Sequence, residues 1–184
     1  TLIPLLIMVV TLGIESRDSN VIWTPYYKAQ TLDVAGLGAD DVGVGVLVNG
    51  VPHWFQTAKY DLPIYQTVYE RRTETAPVND LLVIGAGSGN DVSVGLHEGA
   101  AHIDAVEIDR RLFEVARDGH ANRPYDDPRV DVHINDGRAY LEQSNKQWDL
   151  MILALPDSLT LVQGASSIRL ESYLFTQEAA NSYR

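Results

Sequence analysis

The stretch Gly85-Ala86-Gly87-Ser88-Gly89-Asn90 directly follows the apolar run Leu81 to Ile84 and opens a segment with helical patterning. Glycines at a strand-to-helix turn allow positive φ and let a ligand approach the backbone, while the helix N-terminus supplies unpaired N–H groups. Glu107 ends the next apolar run, 22 positions beyond Gly85. A carboxylate at that place holds the hydroxyls of a ribose. Asp136-Gly137 follows the third run, where an acid is placed to accept a hydrogen bond from an adenine amino group. These residues predict a nucleoside site. The plainer alternatives are a tight turn at the glycines, a solvated strand end at Glu107 and a helix cap at Asp136. A dinucleotide fingerprint would need glycine or alanine at Asn90; the spacing here is G-x-G-x-G, which disfavours NAD and FAD.

The elements that must carry this loop are legible in the hydrophobic rhythm. Strands are expected at Leu81–Ile84, Ile103–Ile108, Val130–Ile134 and Asp149–Leu155. Helices are expected at Val92–Gly99, Arg110–Arg117, from Ala139 to Gln143, and near the end from Leu174 to Tyr183. Largely apolar strands alternating with helices predict a parallel sheet covered on both faces. This is a doubly wound α/β arrangement, apparently truncated, since such sheets usually hold about five or six strands.

Ahead of it, short β-rich runs extend from Ile22 to about Trp54, with Val42–Val48 and Asn49-Gly50 giving a strong hairpin signal. Asp61 to Arg72 predicts a short helix, with Pro63 in its first turn and Asp61 as a cap. The expected organisation is a β-hairpin region over residues 1–76 and a nucleoside-binding domain over 77–184. Thr1 to Ile14 is nearly all apolar yet shorter than a bilayer span, and no basic residues precede it as in a secretory signal. A buried strand is the first expectation for it; the stub of a membrane segment and a partner-facing element are the alternatives.

Composition narrows the function further. The 184 residues carry 14 Lys and Arg against 25 Asp and Glu, a formal charge of −11, so no nucleic-acid partner is expected. There are no cysteines, which removes thiolate nucleophiles, disulfides and iron–sulfur ligands. The five histidines show no metal-ligand spacing, so no metal is expected, and no G-x-S-x-G elbow occurs.

From about Gly45 to Ala179 the chain resembles the polyamine aminopropyltransferases, the spermidine and spermine synthases. The segments carrying the resemblance are GVLVNGV, LLVIGAGSGNDV, AVEIDRRLFEVAR, YDDPRVDVHINDGRAYL, WDLMILALPDS and YLFTQEA. It implies a Rossmann-like fold of the class I methyltransferase type preceded by a β-hairpin domain. It implies decarboxylated S-adenosylmethionine as co-substrate, with ordinary S-adenosylmethionine the alternative, and a small-molecule amine as acceptor. Gly85, Gly87 and Gly89, with Ser88 among them, would lie under the sulfonium nucleoside. Glu107 with Ile108 would hold the ribose, and Asp136 with Gly137 the adenine. Tyr65 would face the amine and Gln66 the donor, while Asp157 matches the second acid of the family's D-x-x-D motif.

A family glutamine corresponds to His53 or Gln56. The resemblance also implies a homodimer and a cytoplasmic setting, with attachment to a membrane through a longer parent protein as the alternative. Two positions depart from the family pattern. Ala154 stands where the acid that deprotonates the amine belongs, and Ser88 where an aspartate pairs with the aminopropyl amine. Methyl transfer, or a non-catalytic nucleoside-binding module, therefore stands beside aminopropyl transfer.

Overall fold

The computed structural model describes residues 2–34, 43–72, 76–154, 174 and 176–182. The first element is a helix, α1 (Leu2–Glu15), with no buried residue; Leu2 is 81% and Ile14 67% exposed. The expected buried strand is thus not formed. A strand needs a neighbour for its N–H and C=O groups, whereas a helix satisfies them within itself, and Pro4 lies in the first turn where its missing N–H is tolerated. Among the described residues no helix is long and apolar enough to cross a membrane. Glu15 at the end of α1 forms an ion pair with Lys28.

Four antiparallel strands follow, in the order β1-β2-β3-β4: β1 (Val21–Trp23), β2 (Lys28–Asp33), β3 (Val44–Val48) and β4 (Val51–Phe55). Asn49 and Gly50 both take positive φ, 50° and 82°, as a type I′ turn between β3 and β4 requires. Val46 pairs with Trp54 and Leu47 with Pro52, so His53 is the extra residue of a bulge. Pro52 is tolerated because β4 is an edge strand of this sheet. The next helix, α2 (Pro63–Glu70), has Leu62 at its N-cap and no side-chain cap. Asp61 therefore does not cap it: Pro63 begins the helix one residue too late for Asp61 to occupy that position.

The second sheet is parallel, in the order β7-β6-β5-β8, built from β5 (Asp80–Ile84), β6 (His102–Glu107), β7 (Val130–Ile134) and β8 (Leu150–Leu153). Helices α3 (Asn90–His97), α4 (Arg110–Gly119) and α5 (Gly137–Gln143) connect its strands, and α6 (Gln177–Ser182) packs near α5. Alternation along β5 explains why Leu81 to Ile84 are all apolar. Leu81 and Val83 enter one core with Val92, Ile103 and Ala116, while Leu82 and Ile84 enter another with Val106 and Leu141. Each such side chain contributes about 1.5–3 kcal/mol on burial. β5 is central, so the strand order reverses there and opens a crevice at the carboxyl ends of the strands.

The two sheets are joined through a buried amide. Gln56, just after β4, is 1% exposed. Its Oε1 accepts from the Val44 N–H at 3.0 Å, and its Nε2 donates to the Ser88 carbonyl at 3.2 Å and the Ala116 carbonyl at 2.7 Å. Gln56→Leu removes all three bonds and leaves their backbone partners dry. Urea unfolding should show a loss of about 2–4 kcal/mol; a loss below about 0.5 kcal/mol would mean that this amide does not hold the sheets together.

Candidate active site

The crevice is a cavity of about 1240 Å³ at the carboxyl ends of β5, β6, β7 and β8. One wall consists of Gly85 to Ser88, Glu107, Ile108, Asn135 to Gly137 and Ala154. The opposite wall comes from β4 and α2 and carries His53, Trp54, Phe55, Ile64 and Tyr65, with Tyr26 and Tyr27 beside them. The bulge at His53 matters here, because the neighbouring residues His53, Trp54 and Phe55 all contribute to the lining.

Glycine is required in the loop for two separate reasons. Gly87 has φ of 38°, a conformation in which a side chain is strained, although a Cβ there would make only ordinary contacts. Gly89, with φ of 87°, is the N-cap of α3, and its Cβ would press on Tyr125 at 3.0 Å and His120 at 3.2 Å. Gly89 therefore packs against the protein and is not part of the cavity lining, unlike Gly85 and Gly87. The turn is closed by Tyr125, whose one hydroxyl proton is shared between the carbonyls of Ala86 and Gly87 at 3.0 and 3.1 Å.

Glu107 is buried at the end of β6. Its two oxygens accept from the N–H groups of Gly87 at 2.9 Å and Asp109 at 2.8 Å. Burial pushes its pKa up, against the pull of those N–H donors. Each carboxylate oxygen has a second lone pair, so the group can still accept from ligand hydroxyls. Asp136 lines the cavity and also accepts from the Ala139 N–H at 2.8 Å, so the cap and the site residue coincide. Gly137 opens α5 against Ile84, where any Cβ would collide.

Tyr65 is held from the side of α3. Asn90 Nδ2 donates to its hydroxyl at 2.7 Å and to the Phe55 carbonyl at 2.7 Å, while Asn90 Oδ1 accepts from the Thr57 N–H at 3.1 Å. Burial raises the Tyr65 pKa more than the Asn90 bond lowers it, so the phenol is neutral. His120 Nε2 lies 3.2 Å from the same Asn90 oxygen, and His120 Nδ1 accepts from the Asn122 N–H. Those partners assign a neutral Nε2–H ring, in keeping with burial holding its pKa near 4.

Several expected residues fall elsewhere. Gln66 does not reach the cavity: its Nε2 donates to the Tyr60 carbonyl at 2.8 Å and to Glu98 at 3.0 Å. It follows Tyr65 on a helix, and about 100° of rotation carries it onto another face. Asp157 lies outside the described residues. Ser88 and Ala154 both line the cavity, and the Ser88 hydroxyl accepts from the Asn90 N–H at 3.3 Å. Gln56 and His53 line it too, but the Gln56 amide is already engaged by backbone.

Strand pairing also gathers a group that sequence spacing does not show. His102, Asp104 and Asp131 bring ligand atoms within 4.8 Å of one another, away from the cavity. Asp104 accepts from Lys146 at 2.8 Å, Trp148 at 2.6 Å and the His133 ring at 2.9 Å. Burial alone would raise its pKa, but these partners outweigh it and hold the carboxyl at about 2. The group is engaged as a structural acceptor.

Asp91, in the first turn of α3, also faces the cavity. Burial pushes its carboxyl up to about 6 from an ordinary 3.8. Because the folded state holds this proton more tightly than the unfolded chain, the cost of ionising it is absent below the ordinary value. That cost grows as pH rises towards the folded one. Asp91→Asn removes it. Urea unfolding should therefore show the variant about 1–3 kcal/mol more stable at pH 7, the gain shrinking as pH falls towards 4; a loss at pH 7 would contradict this account.

Comparison with known proteins gives these features a family. The spermine/spermidine synthase domain matches residues 72–177. A polyamine aminopropyltransferase of Pectobacterium carotovorum is 35% identical over 83 residues, covering 43% of this chain and 29% of the relative. Polyamine aminopropyltransferase 2 of Hyperthermus butylicus is 28% identical over 156 residues, covering 82% of this chain and 48% of the relative. The spermidine synthase of Thermotoga maritima shares the fold, with a TM-score of 0.59 at 19% identity over 89% of this chain and 52% of that one. A second spermidine synthase structure, in complex with the transition-state analogue AdoDATO, matches at a TM-score of 0.59 and 20% identity, over 89% and 53% of the two chains. The chain thus spans between 29% and 48% of the length of these curated relatives. The parallel sheet and the hairpin sheet beside it have the fold of the solved spermidine synthases, and by the match over residues 72–177 this chain belongs to the spermine/spermidine synthase domain family.

Proposed function

We propose that this chain binds decarboxylated S-adenosylmethionine in the crevice and transfers its aminopropyl group to a small amine. The carrying observation is the two-walled cavity, with a nucleoside wall of Gly85, Gly87, Glu107 and Asp136 opposite an aromatic wall at Tyr65. On the first wall, the oxygens of Glu107 accept from the ribose hydroxyls, and Asp136 accepts from the adenine amino group. On the second, the rings of Tyr65 and its aromatic neighbours offer cation–π contact to an amine. The reaction is a displacement at the carbon beside a sulfonium, so alignment of nucleophile and leaving group supplies much of the acceleration. The solved relative with AdoDATO supports an adenosyl donor.

Ser88 favours one second reading. A hydroxyl there brings no charge to an aminopropyl ammonium, which suits methyl transfer from ordinary S-adenosylmethionine. Calorimetric titration with both donors separates the two. Aminopropyl transfer predicts preference for the decarboxylated donor, with Glu107→Ala weakening it by at least about tenfold. Equal affinity, or preference for the ordinary donor, would favour methyl transfer. Absence of binding by either donor would overturn the nucleoside site.

A further inference from the structure

Among the described lining residues three carboxylates face the cavity: Asp91, Glu107 and Asp136. Two of them are engaged, Glu107 by the Gly87 and Asp109 N–H groups and Asp136 by the Ala139 N–H. Asp91 is different. Its only hydrogen bond among the described residues comes from its own backbone N–H, and no cation pairs with it there. It follows Asn90, whose amide fixes Tyr65, and its charge is felt at Tyr65 and Tyr69 on α2 and at Tyr125. A half-buried carboxylate without a cation, beside an aromatic wall, is a site made for an ammonium group.

We infer that Asp91 receives the ammonium of the amine acceptor and takes its proton during transfer. This assignment rests on the aminopropyl-transfer reading above, and it places the acid on α3 where neither Ser88 nor Ala154 can supply one. The step balances. The acceptor R–NH3⁺ gives a proton to the Asp91 carboxylate, and the freed nitrogen lone pair attacks the propyl carbon bound to the sulfonium. The C–N bond forms as the C–S bond breaks; its electron pair stays on sulfur as a neutral thioether, and the product leaves as a secondary ammonium. The groups on which the Asp91 charge acts are Tyr65 and Tyr69 from α2 and Tyr125; His53 from β4, Arg71 and Arg72 just after α2, and Glu107 from β6 line the same cavity without pairing with it. Burial holds the acid near 6, so above that pH it is an ionised base well matched to proton transfer.

The test uses 1,4-diaminobutane as the probe amine, titrated calorimetrically into the chain, Asp91→Asn and Asp91→Glu, with and without decarboxylated S-adenosylmethionine. The Asn variant should bind the diamine at least about tenfold more weakly while donor affinity stays within about twofold, and the Glu variant should recover part of the loss. Transfer by the unaltered chain should rise with pH through about 6, and that limb should vanish in the Asn variant. Equal diamine affinity in both, or none in the unaltered chain, would overturn the assignment. Transfer that persists unchanged in Asp91→Asn would also overturn it while upholding the transfer reading. Diamine binding that depends on Asp91, with no donor bound, would uphold the cation site and overturn the transfer reading.

Discussion

Two buried amides, Gln56 and Asn90, hold the site together. Gln56 joins the start of β3 to the glycine loop and to α4, and Asn90 joins α3 to the chain after β4 and to Tyr65. An unsatisfied buried amide costs several kcal/mol, whereas a fully bonded one is tolerated only in the geometry that bonds it. The two sheets are therefore held at one spacing rather than merely pressed together by apolar contact. The cavity exists because of that spacing. Its wall of loop glycines and strand-end acids belongs to the parallel sheet and its aromatic wall to β4 and α2.

This constraint explains a departure in the loop itself. Asn90 stands where a dinucleotide fingerprint would place glycine or alanine, and no small residue could bond Phe55, Thr57 and Tyr65 at once. The loop has exchanged close helix–strand packing at that point for a polar tie across the cleft. Gly89 is likewise committed to packing, against Tyr125 and His120. Of the three loop glycines, Gly85 and Gly87 line the cavity and Gly89 does not.

What was legible in the sequence is what depends on local pattern. The four parallel strands follow from their apolar runs, the type I′ turn from Asn49-Gly50, and the crevice acids from their places at strand ends. What was not legible depends on orientation or on partners distant in sequence. Gln66 differs from Tyr65 by one helical step, yet that step turns it to Glu98 instead of the cavity. Asp61 lost the cap because Pro63 fixes where α2 begins. The ambiguity between His53 and Gln56 has a cause in the bulge, which inserts His53 between the paired residues Pro52 and Trp54. In α1, hydrophobicity suggested burial, but nothing among the described residues covers it, and ten of its large apolar side chains are exposed.

The cavity's charge can be reasoned as a whole. Cationic amine chemistry needs negative charge where the ammonium sits, but each buried carboxylate without a partner raises the cost of folding. Asp104 shows the solution used elsewhere in the chain, an acid neutralised by Lys146 and stabilised by Trp148 and His133. Among the described residues Asp91 has no such partners, and its raised pKa records the cost. A structural role would favour replacing it with a neutral residue. An acid without a charged partner among the described residues is accounted for when the counter-charge arrives with a ligand. Binding a cation then lowers the energy of the ionised form, so the same burial that destabilises the empty site strengthens its hold on an ammonium.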